Sequence, residues 1–206
     1  MVLSEAAVLA TSSPEEIARV AEAAAAQART LIESVKTSGS DPLATFDAYD
    51  EAMAALGNTS DRVDLIANTQ PDEALRDAAD AAKQALAKVR TDISLDRGLY
   101  DVLAALDLAG ADAATRHYHQ RTLRDFRRAG VDRDETIRGR VRELQEELVE
   151  IGQDFDRNIR NDTRTAKLPA AALAGLPADY VRAHPAGDDG LVSITTEYPD
   201  VVPFMM

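Results

Sequence analysis

The sequence predicts a mainly α fold: an antiparallel multi-helix bundle over residues 1–165, then a small C-terminal α+β appendage over 166–206 built on a short β-hairpin. Three observations carry this. Apolar residues make up 45% of the 206 residues but aromatics only 4%, and alanine is prominent. Alanine is the best helix former and is depleted in strands, so closely packed helices are favoured over a β-sandwich. Successive segments before residue 166 carry apolar residues at helical spacing, opened by capping signals. After Thr165 the character changes: Pro169, Pro177, Pro185, Pro199 and Pro203 cluster with Gly175, Gly187 and Gly190, which rules out long helices.

Ser13-Pro14-Glu15-Glu16 is a strong helix start, with Ser13 as cap, Pro14 at the first helical position and Glu16 completing a capping box. Ile17, Ala21, Ala24, Ala28, Leu31 and Val35 then form one stripe, stopped near Ser38-Gly39-Ser40. The alanine run from Ala23 to Ala26 makes this helix thin, so a neighbour can come close. Asp41-Pro42 opens a second helix with Leu43, Phe46, Met53 and Leu56, and Gly57-Asn58 is a candidate break before Val63-Asp64-Leu65-Ile66. Pro71-Asp72-Glu73 opens a third, with Leu75, Ala79, Ala82, Leu86 and Val89 on one face. Leu99, Val102, Leu103 and Leu106 mark a fourth, stopped around Gly110; a fifth runs from Asp112 to Gly130.

The sixth is the clearest. Ile137, Val141, Leu144, Leu148, Ile151 and Phe155 recur at spacings of four and three, followed by Ile159. That helix runs roughly 33 Å at 1.5 Å per residue. The pattern resembles a coiled-coil seam, but an ordinary bundle, with neighbouring helices covering the stripe, is the expectation. In the appendage, Leu191-Val192-Ser193-Ile194-Thr195-Thr196 is the convincing strand, and Ala166-Lys167-Leu168 is its candidate partner.

Net charge is −13, unevenly spread: 9 basic and 19 acidic groups in residues 1–110, 12 and 12 in 111–166, 2 and 5 in the rest. Such a chain repels nucleic acid and anionic membrane at long range, so neither is an expected partner. With no cysteine, disulfides and thiolate chemistry are excluded, and a reducing cytoplasmic location fits. Met1-Val2-Leu3-Ser4-Glu5 has no basic region or long apolar run, so no signal peptide and no membrane span are expected.

Candidate chemistry is sparse. His117 and His119, two apart on a helix, lie about 200° around the axis from each other and cannot face one metal. The spacing makes His119 partly buried and His117 solvated. His184 precedes Pro185 in a loop without a partner at metal spacing. Glu143, Glu146, Glu147 and Glu150 sit among Arg140 and Arg142 as solvated ion pairs at helical spacing, and no Glu-x-x-His pair suggests a di-metal bundle. Nine arginines fall between Arg116 and Arg142. They could form an anion or peptide-carboxylate site, but pairing with Asp125, Asp132, Asp134, Glu135 and Glu143, and with the acidic N-terminal half, is the favoured reading. There is no phosphate loop and no Gly-x-Ser-x-Gly elbow. No catalytic, cofactor-binding or metal-ligating residue is assigned.

Several short motifs do carry a resemblance. Leu123-Arg124-Asp125-Phe126-Arg127-Arg128-Ala129-Gly130-Val131, the Phe155 to Asn158-Ile159 segment, Gly175-Leu176-Pro177, and Tyr198-Pro199 with Pro203-Phe204 occur in an order that resembles the N-terminal part of the thimet oligopeptidase/neurolysin family of zinc metallopeptidases. The similarity runs from Gly98 to the end; residues 1–97 match only as ordinary helices. The resemblance implies a helical domain that forms part of a substrate channel admitting short peptides. It also implies that zinc, the His-Glu-x-x-His signature and the catalytic lobe lie beyond this stretch, because the signature is missing here.

The chain is therefore expected to be a non-catalytic fragment of a peptide-hydrolysing enzyme, with its catalytic lobe as partner and no cofactor of its own. The apolar ending Val201-Val202-Pro203-Phe204-Met205-Met206 fits a truncated product that exposes apolar surface and self-associates. The alternative is a stand-alone helical scaffold or adaptor that binds a partner protein.

Overall fold

Alanine-faced helices set the architecture. The computed structural model describes residues 13–37 and 41–205. The expected stop at Ser38-Gly39-Ser40, the extreme N-terminus and Met206 lie outside these. Helix α1 spans Pro14–Thr37. Ser13 Oγ accepts from the Glu16 amide at 3.2 Å, but the Glu16 carboxylate turns to Arg19 instead of back to Ser13, so the capping box is half formed. Its buried residues are Ile17, Ala21, Ala24, Ala25, Ala28, Ile32 and Val35. Ile32 thus takes the place expected for Leu31. Two helices, α2 and α3, pack against α1 and widen the arc that must be apolar.

Helix α2 covers Pro42–Thr69, with Asp41 accepting from the Leu43 and Ala44 amides at 2.9 and 3.2 Å. It runs unbroken through Gly57-Asn58. Leu56, Thr59, Val63, Ile66 and Ala67 continue the buried stripe on either side. Their burial outweighs the cost of about 1 kcal/mol for glycine inside a helix. Leu43, in the exposed first turn, stays out of the core. Helix α3 spans Glu73–Ser94 behind an Asp72 cap and buries Ala79, Ala82, Leu86, Val89 and Ile93. The short connections 38–41 and 70–72 set α2 antiparallel to α1 and α3 antiparallel to α2, with all three helices in contact. Ala28, Ala52, Ala67 and Ala79 are fully buried between them. Their small side chains let the axes approach, while Phe46, Leu56 and Leu86 fill the remaining space.

Helix α4 (Arg97–Ala105) packs on α1. Asp96 caps it, accepting from the Leu99 amide at 3.0 Å, and also takes Lys36 Nζ at 2.8 Å. Leu99 and Leu103 are buried, and the helix stops before Leu106, whose backbone is extended. Helix α5 (Ala113–Ala129) starts at the Asp112 cap and ends at Gly130, whose φ of 95° gives the left-handed stop that glycine tolerates best.

Helix α6 (Glu135–Asn161) forms as the spacing predicts, but it does not pack as expected. Its apolar stripe points outward: Ile137 is 45% exposed, Leu144 41%, Leu148 66%, Ile151 57% and Phe155 64%. What α3 turns towards α6 is polar. Arg142 Nε donates to Asp92 at 3.0 Å, and Lys88 lies 3.6 Å from Glu146. Gln84, Thr91 and Gln145 share a cleft of about 300 Å³ between the two helices. Ala87 and Val149 are the apolar members of that lining, too few to bury a stripe.

The chain divides into two compact units between Ile151 and Gly152, inside α6. In the second, strands β1 (Thr165–Pro169) and β2 (Leu191–Thr195) pair antiparallel, with Ala166 opposite Ile194 and Leu168 opposite Val192. A 3-10 turn (Ala170–Leu173) and helix α7 (Ala178–Ala183) form the connection; helix α8 covers Tyr198–Met205. Leu173, Tyr180, Val192 and Ile194 make a small core of its own.

Two substitutions test this packing by urea denaturation. Leu103→Ala, which empties a fully buried site, lowers stability by about 2–5 kcal/mol. Gly57→Ala raises it by about 0.5–1 kcal/mol, because the nearest atom to an added Cβ is an Arg90 nitrogen at 3.8 Å and the helix is continuous.

Candidate functional site

Helical spacing brings together an aromatic pocket in the first unit. Tyr49 and Met53 are four apart on α2. Arg90, Ile93 and Ser94 share a face of α3. Tyr118, Thr122, Asp125 and Phe126 do so on α5. Together they line a concavity of about 330 Å³. The Phe46 ring lies 5.2 Å from that of Tyr118 and 5.9 Å from that of Tyr49, which in turn is 6.1 Å from Phe126. These separations suit packed aromatic rings.

Burial, then a hydrogen bond with Asp50, pushes the Tyr118 phenol up to about 12. Burial raises Tyr49 as well. Both phenols therefore stay protonated at neutral pH. Asp125 is engaged from its own helix by Arg121 at 3.7 Å and Arg124 at 3.4 Å. The pocket is apolar with a polar rim. It offers binding, with no nucleophile held beside a base.

In the second unit a histidine clasp ties α8 to α7 and β2. Tyr180 and His184 are four apart on and just after α7, and their rings stack at 4.2 Å. His184 Nδ1 lies 2.8 Å from the Tyr180 carbonyl and Nε2 lies 3.1 Å from Asp200 Oδ1. A carbonyl and a carboxylate both accept, so the arrangement favours the ring with hydrogen on both nitrogens. The Tyr180 carbonyl, then Asp200, accordingly raises the His184 pKa. Thr195 donates its hydroxyl to Asp200 Oδ2 at 2.5 Å and its amide at 3.2 Å. The hydroxyl first, and His184 after it, holds Asp200 below the usual carboxylate range. Tyr180 Oη donates to the Asp200 carbonyl at 2.6 Å.

The other residues singled out by sequence fall elsewhere. His119 is buried, its Nε2 donating to the Leu103 carbonyl at 2.7 Å, which ties α5 to α4; His117 is exposed. The arginine-rich stretch is laced by ion pairs: Arg133 with Asp132, Arg138 with Glu135, Arg140 with Glu143 and Arg142 with Asp92. In the loop Gly187–Gly190, Asp189 is held by Lys167 at 2.5 Å. Among the described residues no group of three or more His, Asp or Glu side chains is placed to hold a metal ion. The sequence left His184 without a partner because Asp200 lies sixteen residues on. Only the Tyr180 to His184 spacing was locally visible.

Curated proteins similar to this chain are peptidases. A thimet-like oligopeptidase of Dictyostelium discoideum is 24% identical over 170 residues, 78% of this chain and 25% of that protein. A mitochondrial intermediate peptidase of Mycosarcoma maydis is 24% identical over 184 residues, 82% and 21%. Saccharolysin of Saccharomyces cerevisiae is 20% identical over 164 residues, 73% and 23%. The chain thus spans about a quarter or less of the length of these relatives, and the similarity is longer than the stretch after Gly98 that carries the sequence motifs. No family model matches it.

The clasp predicts a pH window. His184, raised, contributes below its unfolded pKa of about 6.5 and loses that contribution as pH rises through its higher folded value. Asp200, lowered, contributes above its unfolded value of about 3.9 and loses it as pH falls. The second unit is therefore most stable between about pH 4 and 6.5. An NMR titration should place His184 above the ordinary histidine value, and Asp200→Asn should lower its pKa.

Proposed function

We propose that this chain, similar over most of its length to oligopeptidases of the thimet type, is the N-terminal channel-forming domain of a zinc metallo-oligopeptidase that hydrolyses short peptides. The observation that carries the reading is the extent of that similarity. Between 73% and 82% of the chain matches proteins named as oligopeptidase, intermediate peptidase or saccharolysin, yet it spans only 21–25% of each. No His-Glu-x-x-His occurs in the sequence, so the metal and the bond-breaking chemistry belong to the remainder of such an enzyme. In this reading the helical unit acts by shape. A rigid wall of closely packed helices limits which peptides reach the catalytic groups, and the domain hydrolyses nothing alone. The alternative, a stand-alone scaffold or adaptor, is favoured by one feature, the outward stripe of α6.

Reading the source gene past codon 206 separates the two. The peptidase reading expects an open frame containing His-Glu-x-x-His; a stop at codon 207 favours the scaffold. In the longer polypeptide, deleting the helical unit should raise kcat/KM for a substrate of about 30 residues at least tenfold relative to one of about 10 residues, provided the channel wall is what excludes it. An unchanged length preference would remove the channel role. The 206-residue chain with added zinc should leave both peptides intact.

A further inference from the structure

We propose that the concavity between α2, α3 and α5 is a binding site for an aromatic side chain carrying a free carboxylate, with Arg90 as the group that takes the carboxylate. Helical rows build it. Tyr49 and Met53 stand one turn apart on α2, Tyr118, Thr122 and Phe126 follow at four-residue steps on α5, and Arg90 comes from α3. Tyr49 and Phe126 are buried, so the inner walls are fixed by the core, while Tyr118 is 37% exposed and borders the solvent. A volume of about 330 Å³ lies at the small end of ligand pockets and suits a single side chain. An entering ring meets three others there, a setting that favours an aromatic group over an aliphatic one.

Charge selects the ligand. The Arg90 guanidinium reaches from α3 towards α2, with a nitrogen 3.8 Å from where a Cβ on Gly57 would lie. Burial keeps the Tyr49 phenol protonated, and the Arg90 charge acts on it in the opposite sense, so the two groups are electrostatically close. Among the described residues the Arg90 guanidinium makes no hydrogen bond or ion pair. Its planar fork of N–H donors matches a carboxylate through two parallel bonds. The nearby carboxylates are already engaged: Asp125 by Arg121 and Arg124, and Asp50 by the Tyr118 phenol. Three guanidinium groups therefore stand against two carboxylates, an excess of one positive charge. Aromatic walls without Arg90 would suit a cation; with it, the complement is an anion. The net charge of −13 repels anions at long range, but at about 0.15 M salt that field is screened beyond about 8 Å, and the local group decides. The site lies wholly in the first unit and does not depend on the peptidase reading. The C-terminal residue of a peptide and a free aromatic amino acid both offer this chemistry.

Ligand titration of the 206-residue chain, followed by amide NMR at about 0.15 M salt, tests the assignment. N-acetyl-phenylalanine should bind with a dissociation constant on the order of 1 mM and shift the amides of Met53 and Thr122. Its amide keeps the ring and loses the charge, and should bind at least about tenfold more weakly. Arg90→Met should abolish that preference for the acid, with the far-UV circular dichroism unchanged because the side chain is exposed. A tetrapeptide ending in phenylalanine that binds more tightly than free phenylalanine assigns the site to peptide ends; equal or weaker binding assigns it to the free amino acid. No binding of the acid at about 10 mM, equal affinity for acid and amide, a preference for the acid that survives Arg90→Met, or tighter binding of phenethylammonium would each overturn the proposal.

Discussion

Close approach of α1, α2 and α3 is the constraint on which the first unit depends. Alanines at 28, 52, 67 and 79 are fully buried where these helices meet. With little side-chain volume between the axes, the apolar faces are consumed by one another. Among the larger residues on these helices, Val35, Phe46, Leu56 and Leu86 are the most deeply buried. Interiors packed to crystal-like density tolerate neither a hole nor an added methylene at such points. The remaining helices attach through particular residues at their ends. Asp96 caps α4 while holding Lys36 of α1, and burial, which opposes ionisation, is outweighed by Lys36 and by backbone donors that hold the carboxyl low. His119 anchors α5 to the Leu103 carbonyl.

That economy leaves α6 in an unusual position. It is the most regularly amphipathic segment of the sequence, yet it meets α3 through Arg142, Gln145 and Glu146 and turns its apolar residues away. The ion pairs involved are exposed, so they contribute little stability and fix orientation more than they bind. An apolar face is buried only where a matching face exists, and α3 has already spent its own on α1 and α2. The consequence is an exposed run of apolar side chains along one side of α6.

The second unit solves a different problem, because its core of Leu173, Tyr180, Val192 and Ile194 is small. Polar contacts compensate. Asp200 gathers the Thr195 hydroxyl and amide and the His184 ring, while its carbonyl takes the Tyr180 hydroxyl. A single carboxylate thereby fastens α8 to both β2 and α7. Little in this arrangement resembles catalysis: the imidazole has both nitrogens engaged by acceptors and no hydroxyl waits on it for a proton.

Helix positions, their caps and the strand pairing were legible in the sequence because each is fixed by local rules. Asp41, Asp72 and Asp112 announce helix starts, Gly130 a stop, and the β-branched run after Gly190 a strand. The local charge pairs of the arginine-rich stretch, such as Arg138 with Glu135 and Arg140 with Glu143, and the contrast between His117 and His119 follow from spacing alone, whereas Arg142 with Asp92 does not. The family likeness, too, rests on the order of short motifs. Tertiary structure decided the rest. It carried α2 through Gly57, because burial on both sides exceeds a local propensity. It joined His184 to Asp200, sixteen residues apart and invisible to any local pattern. Above all it chose which face of α6 meets the bundle. Periodicity states that a helix has an apolar side, but what lies opposite that side depends on what the other helices have left unburied.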